Sequence, residues 1–211
     1  MQQLCTGHQI NADGMSLMVE MLAKRDQSIC TTYPLVNNGA VYKPSAFMLP
    51  SFIGACAVAT QPGDFAQYLP HGSVWGDYFR IYIPWGTNDT WGLVVIDVFE
   101  RHVSYVNPTY AHTGDLATIG PKTGLYDTVS QHKASTCDSL IIFLQLVSAG
   151  HWSCSFYPYL VEPVPNVDTG VYVMLALFLL SYDAPPVIFA NDMTIYRQKI
   201  AHWLIAGSLP V

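Results

Sequence analysis

The stretch Thr90–Asp97 (TWGLVVID), followed by Val103–Asn107 (VSYVN) and then by Asn166–Val173 (NVDTGVYV), decides the expected fold. The first two are rich in β-branched and aromatic residues and are separated by a short polar turn, which predicts two adjacent strands. The third opens with Asp168, a residue that can cap a helix, and continues as an apolar run to Leu180. Together they predict a sheet packed on a buried helix.

Further elements are predicted on both sides of these stretches. Asn11 precedes apolar residues at helical spacing, and Lys24 and Arg25 suit the end of that first helix. The other predicted strands are Tyr78–Ile83 and Trp152–Leu160. The other predicted helices are Cys137–Ser148 and Thr194–Ala206, and the second of these is expected to be capped near Asn191 or Asp192. Between Cys30 and Gly76, several prolines predict loops around one further helix. The expected fold class is α+β, with a central mixed sheet covered by helices.

Length and composition indicate one folded domain spanning residues 1–211. The chain is 51% hydrophobic and 11% charged, which provides a sizeable core. Its longest apolar run, Val171–Leu180, is far shorter than the ~20 residues of a membrane-spanning helix, so no membrane association is expected. The net charge of −6 gives no excess of basic residues that could bind a nucleic-acid backbone. It favours a partner with a basic surface.

The residues that hold metals and cofactors are scattered. The seven histidines and five cysteines form no ligand pair at metal-binding spacing, and the glycines match no phosphate-binding loop. No metal and no cofactor are therefore expected. The unpaired cysteines and the lack of a visible secretory signal indicate an intracellular protein, nuclear or cytoplasmic.

One cysteine has a histidine nearby in sequence. His151 and Cys154 are three residues apart on a predicted strand, so their side chains point to opposite faces. A thiol and base acting together are not expected there.

The three quoted stretches resemble the ubiquitin-like-specific proteases, the cysteine proteases that process and remove SUMO. The corresponding family segments read His-Trp-x-Leu-x-x-Ile-Asp, Tyr-x-Asp and Asp-Cys-Gly-x-(Phe/Tyr)-Val, in the same order. His8–Ala12 is similar to the opening segment of that family, and Tyr196–His202 to its closing helix. The resemblance covers most of Ile10–Ala206, except a poorly matching stretch at Gly114–Ala134. It implies a papain-like, adenain-type cysteine protease fold.

The residues at the positions of the catalytic triad differ from those of the family. The resemblance places Thr90 at the base, Asn107 at the orienting carboxylate and Thr169 at the nucleophile. A threonine hydroxyl has a far higher pKa than a thiol, and Thr90 carries no imidazole to activate it. The family's oxyanion-donating glutamine falls near Pro163, which lacks a backbone N–H. Losing triad groups costs on the order of a millionfold in turnover, so no peptidase activity is expected.

The resemblance also implies a set of binding positions. Trp91 matches a tryptophan that helps form a narrow tunnel over the Gly-Gly tail of the substrate, and Gln9 stands where the family has an aromatic residue at the opposite wall. Asp168 and Gly170 flank the lost nucleophile, where a helix cap and a close backbone approach are needed. Packing in the core is the alternative role for Trp91.

The expected function is protein–protein interaction by a catalytically inactive protease domain, with SUMO, ubiquitin, another ubiquitin-like protein or an unrelated protein as partner. One alternative is an active thiol peptidase or hydrolase using another cysteine, such as Cys154 or Cys5. A second alternative is a structural domain that forms a homodimer through exposed apolar surface.

Overall fold

A computed structural model of the chain describes residues 7–32, 36–37, 40–41, 45–52, 74–87, 90–106, 108–109, 144, 150–156 and 163–210. The helices in these ranges are α1 (Ala12–Thr32), α2 (Thr169–Leu180) and α3 (Met193–Ala206). Short 3₁₀ turns cover Trp75–Asp77, Asn166–Asp168 and Ala190–Asp192. No helix among the described residues is long and apolar enough to cross a membrane.

A five-stranded mixed sheet forms the centre of the fold. Its strands, in spatial order, are β3 (Ala46–Phe47), β4 (Arg80–Thr87), β5 (Thr90–Asp97), β6 (His102–Val106) and β7 (Ser153–Phe156). The three middle strands are antiparallel, and each outer strand is parallel to its neighbour. A separate antiparallel pair joins β1 (Val36–Asn37) to β2 (Ala40–Val41). The mixed sheet and its covering helices confirm the predicted α+β class.

Strand β5 is buried on both faces, as its near-continuous apolar sequence predicts. Leu93 and Val95 pack with α2 on one face, while Val94 and Ile96 belong to a second core on the other. Helix α2 is apolar on every side and is buried continuously from Thr169 to Leu177, as expected for an inner helix. Strand β5 and α2 are therefore the two innermost elements.

The outer helices α1 and α3 cover α2 with their apolar faces. Met15, Met18 and Leu22 of α1 and Ile200 and Leu204 of α3 belong to the same core as α2. Burying each such side chain contributes roughly 1.5–3 kcal/mol. The sheet, α2 and the outer helices thus form successive layers, with the amino end of α2 close to β5.

The first helix begins as predicted and ends later than predicted. The Asn11 Oδ1 atom accepts the Gly14 N–H at 2.9 Å, which confirms the N-cap. The end expected at Lys24 and Arg25 is wrong, since α1 continues to Thr32. Arg25 turns inward, with its guanidinium carbon 4.3 Å from the centre of the Tyr182 ring. Tertiary packing therefore carries the helix past its basic residues.

The other predicted elements are confirmed where the structure describes them. Strands β4, β5 and β6 and the last two helices lie where the sequence predicts them. Strand β7 is confirmed over Ser153–Phe156, and the rest of that predicted strand lies outside the described residues. The predicted helix Cys137–Ser148 is described at Leu144 alone, which is helical. The predicted side-chain cap of α3 is wrong: Asp192 directly precedes this helix, but its side chain makes no capping hydrogen bond.

A buried carboxyl group on α1 predicts a pH dependence of stability. Asp26 is 3% exposed, and its Oδ2 accepts the Ser45 N–H at 3.1 Å. Burial raises the pKa of Asp26 above its ordinary value of 3.8. The folded state therefore binds the proton more tightly than the unfolded state, and the free energy of unfolding falls as pH rises from 3.8 through the raised pKa.

We expect Asp26→Asn to lose this component of the pH dependence, because the amide does not ionise. Urea denaturation between about pH 4 and pH 7 measures it, with Asp13→Asn, an exposed position on the same helix, as control. Identical pH profiles for the native chain and Asp26→Asn would contradict the assignment.

Candidate functional site at the amino end of α2

The hydroxyl of Thr169 ties the first residue of α2 to the first residues of β5. Its Oγ1 accepts the Trp91 backbone N–H at 2.9 Å and donates to the Asn166 carbonyl at 2.7 Å. The residue is fully buried. Through these two hydrogen bonds the buried hydroxyl joins the start of β5 to the turn before α2.

Trp91 is packed inside the same junction. Its side chain is 7% exposed, and its indole N–H donates to the Ile10 carbonyl at 2.8 Å. The ring lies over Gly86 on the neighbouring strand, where an added Cβ would come within 2.9 Å of it. The indole is therefore held between β4 and the segment that precedes α1.

Gly170 permits that segment to approach the start of α2. A Cβ at this position would lie 2.6 Å from Cβ and Cγ1 of Ile10 and 3.0 Å from Cδ1 of Trp91. Contacts that short are not tolerated, so a side chain at position 170 would displace Ile10. The close backbone approach expected of this glycine is confirmed.

Arg197 on α3 connects three parts of the site. Its Nε lies 2.8 Å from Asp168 Oδ1, its Nη1 donates to the His8 carbonyl at 2.8 Å, and its Nη2 donates to the Val167 carbonyl at 2.6 Å. The arginine is 5% exposed. Since its charge is matched by the Asp168 carboxylate and its donors have acceptors, burial of this cation is compensated.

The cap predicted for Asp168 is wrong. The structure gives this residue no side-chain capping hydrogen bond, and α2 starts at the next residue, Thr169. The carboxylate instead forms an ion pair with Arg197, with Oδ1 2.6 Å from Nη2. Asp168 thus anchors the turn before α2 to α3.

Sequence reasoning missed Arg197, although a signal for it exists. On α3, the residues Met193, Ile200 and Leu204 recur at helical spacing and face the core. Arg197 falls on that same apolar face, four residues after Met193. A single arginine on the buried face of a helix indicates a buried ion pair, and Asp168 is its partner.

The structure brings most of the predicted site residues to one end of α2. Half-buried Thr90 begins β5 next to Trp91, and half-buried Gln9 precedes Ile10. With Asp168, Thr169 and Gly170 they form a cluster that we call the α2 junction. Asn107 lies outside the described residues. Pro163 is exposed at the start of the segment that leads to this junction.

The described part of the chain contains no candidate metal site. Among those residues, no group of three or more His, Cys, Asp or Glu side chains is placed to hold an ion.

Comparison with solved structures identifies the fold. The C-terminal Ulp1 protease domain in complex with Smt3, the yeast ortholog of SUMO, superposes with a TM-score of 0.68 at 14% identity, covering 97% of this chain and 80% of that one. The Ulp1-like SUMO protease catalytic domain of Chaetomium thermophilum superposes with a TM-score of 0.63 at 18% identity, covering 96% of this chain and 74% of that one. A de-sumoylating protease superposes with a TM-score of 0.56 at 12% identity, covering 98% of this chain and 83% of that one.

No protein-family profile and no curated protein matches the sequence. The structural likeness extends over nearly the whole chain while identity stays below one residue in five. At that identity a shared architecture is what the comparison supports.

We expect Thr169→Val to destabilise the domain. Valine keeps the shape of threonine but leaves the Trp91 N–H and the Asn166 carbonyl without their partner, which costs about 1–3 kcal/mol. Thr169→Ser is the matched control, because it keeps both bonds and loses one methyl group, worth ~0.8 kcal/mol. Denaturation midpoints compare the two, and a valine variant as stable as the native chain would refute the role of the hydroxyl.

The chain therefore has the fold of the Ulp1-like SUMO proteases.

Proposed function

We propose that this domain is a catalytically inactive relative of the Ulp1-like proteases that acts by binding a protein. The observation that carries the proposal is the state of Thr169. By its motif this residue stands at the nucleophile position, and its hydroxyl is buried and hydrogen-bonded to Trp91 and Asn166. Among the described residues this hydroxyl bonds no basic side chain, and its proton is already donated to the Asn166 carbonyl, so it is poorly suited to attack a substrate carbonyl.

The other two triad positions support the same proposal. Thr90, at the base position, has a hydroxyl where proton transfer needs an imidazole. Asn107, at the orienting position, is neutral and would not stabilise a protonated base. Because triad groups act as a unit, these replacements together remove the catalytic advantage of the fold.

A thiol hydrolase built on another cysteine is less well supported. Cys30 is the cysteine whose side chain the structure describes, and its thiol is free. Burial and the neighbouring Asp26 carboxyl raise its pKa to about 11. At neutral pH it is almost entirely protonated, which makes it a poor nucleophile. Cys5 and the side chain of Cys154 lie outside the described residues.

A ubiquitin-like protein is the partner class that we favour. The yeast Ulp1 domain of the same fold is in complex with Smt3, an ortholog of SUMO. In this chain Val167 lies in the turn before α2 with 46% of its surface exposed, so an apolar side chain is available for contact beside the α2 junction. The net charge of −6 favours a partner with a basic contact face.

A binding titration tests this proposal. Fluorescently labelled SUMO, ubiquitin and related proteins are titrated with the domain, and we expect saturable micromolar binding of at least one. Val167→Asp should weaken that binding tenfold or more, because it places a charge in the contact while the Val167 carbonyl keeps its bond to Arg197.

The matched control is Ile205→Asp, at the far end of α3, where the side chain is 69% exposed. It should leave the affinity unchanged. Absence of binding across the panel would contradict the choice of partner, and equal losses in both variants would contradict the placement of the contact at the α2 junction.

A further inference from the structure

A cavity lies at the carboxyl end of α2, at the opposite end of this helix from the α2 junction. Its volume is about 370 Å³, and Val95 of β5 and Leu180 of α2 form an apolar floor. Both floor residues are at most 5% exposed. The remaining lining is polar and comes from the carboxyl end of β5, the turn after it and the neighbouring strands.

Arg80 supplies the positive charge in the lining, and two carboxylates balance it. Its Nε lies 3.4 Å from Asp97 Oδ2, and its Nη1 bonds Asp183 Oδ1. The other Asp97 oxygen accepts the backbone N–H of Glu100 at 2.9 Å. Since one cation faces two anions, this group carries a net charge of −1 and attracts no further anion.

Glu100 adds a second carboxylate to the residues that line the cavity. Among the described residues it takes part in no ion pair. It lies in the exposed turn between β5 and β6. The cavity is therefore anionic, although an arginine forms part of its wall.

The wall formed by β6 and β7 offers oxygen atoms that can accept hydrogen bonds. His102 and Ser153 face each other across the two strands, with Nδ1 and Oγ 2.7 Å apart. Ser104, two residues along β6, lines the same wall. Serine oxygens can each accept a hydrogen bond from an N–H group.

We propose that this cavity binds a single alkylammonium group of the size of a lysine side chain. The ammonium would lie beside Glu100 and donate to the serine oxygens, and the methylene chain would cover Val95 and Leu180. An apolar floor with a few convergent polar groups is the usual composition of a small-ligand site. This proposal is independent of the proposed function, because it involves the opposite end of α2.

Titrations of the ¹⁵N-labelled domain followed by NMR test the proposal. The probes are n-butylammonium, butyrate and n-butanol, which share a chain and differ in charge. We expect saturable shifts with n-butylammonium at residues 95–104 and 153, and at least fivefold weaker binding of the other two. Butyrate binding as tightly as n-butylammonium, or no saturable shift with n-butylammonium, would overturn the proposal.

Two variants locate the charge that matters. Glu100→Gln should weaken n-butylammonium binding at least fivefold, while the backbone N–H bond to Asp97 is kept. Glu20→Gln, on the exposed surface of α1, removes the same charge elsewhere and should leave the affinity unchanged. Equal effects of the two would show general electrostatic attraction and would overturn the assigned site.

The source of the amine is resolved by two further probes. Nα-acetyl-lysine methylamide represents a lysine in a polypeptide, and putrescine represents a free polyamine. Saturable binding of either at the same residues supports the site, and the tighter of the two identifies the source. If neither shifts residues 95–104, the site is refuted.

Discussion

The hydrogen bond from the Trp91 backbone N–H to the Thr169 hydroxyl joins the two innermost elements of this fold. Strand β5 and helix α2 both lack a solvent-facing side, so their relative position is set by packing and by the few polar contacts between them. At the amino end of α2 that contact is a buried threonine with both partners satisfied. A buried polar group of this kind fixes one arrangement, because any shift would leave a buried donor without its acceptor.

The same end of α2 also holds the segment before α1. The indole of Trp91 donates to the Ile10 carbonyl, and the guanidinium of Arg197 donates to the His8 carbonyl, so both carbonyls next to Gln9 in sequence are held. Gly170 leaves room for Ile10. In the proposed role, Thr169 stands at the nucleophile position and has a structural function. Its hydrogen bonds hold together a strand, a helix and the start of the domain.

Much of this could be predicted from sequence, since patterns within one element are local. The apolar run of β5, the apolar α2 and the Asn11 cap each follow from spacing and residue type, and the order of the short motifs gave the protease-like fold. The end of α1 and the role of Asp168 were wrong, because Arg25 and Asp168 make contacts with residues far away in the chain. Such pairings are set by tertiary packing, which local propensity does not contain.

We propose that this chain, with its Ulp1-like fold, lacks peptidase activity. The most direct test follows the cleavage of a SUMO precursor by the native domain at substrate excess, with an active Ulp1-like protease assayed in parallel. We predict a rate on the order of a millionfold below that of the active enzyme, indistinguishable from buffer. Multiple-turnover cleavage by the native chain would contradict it, and would require a nucleophile other than Thr169.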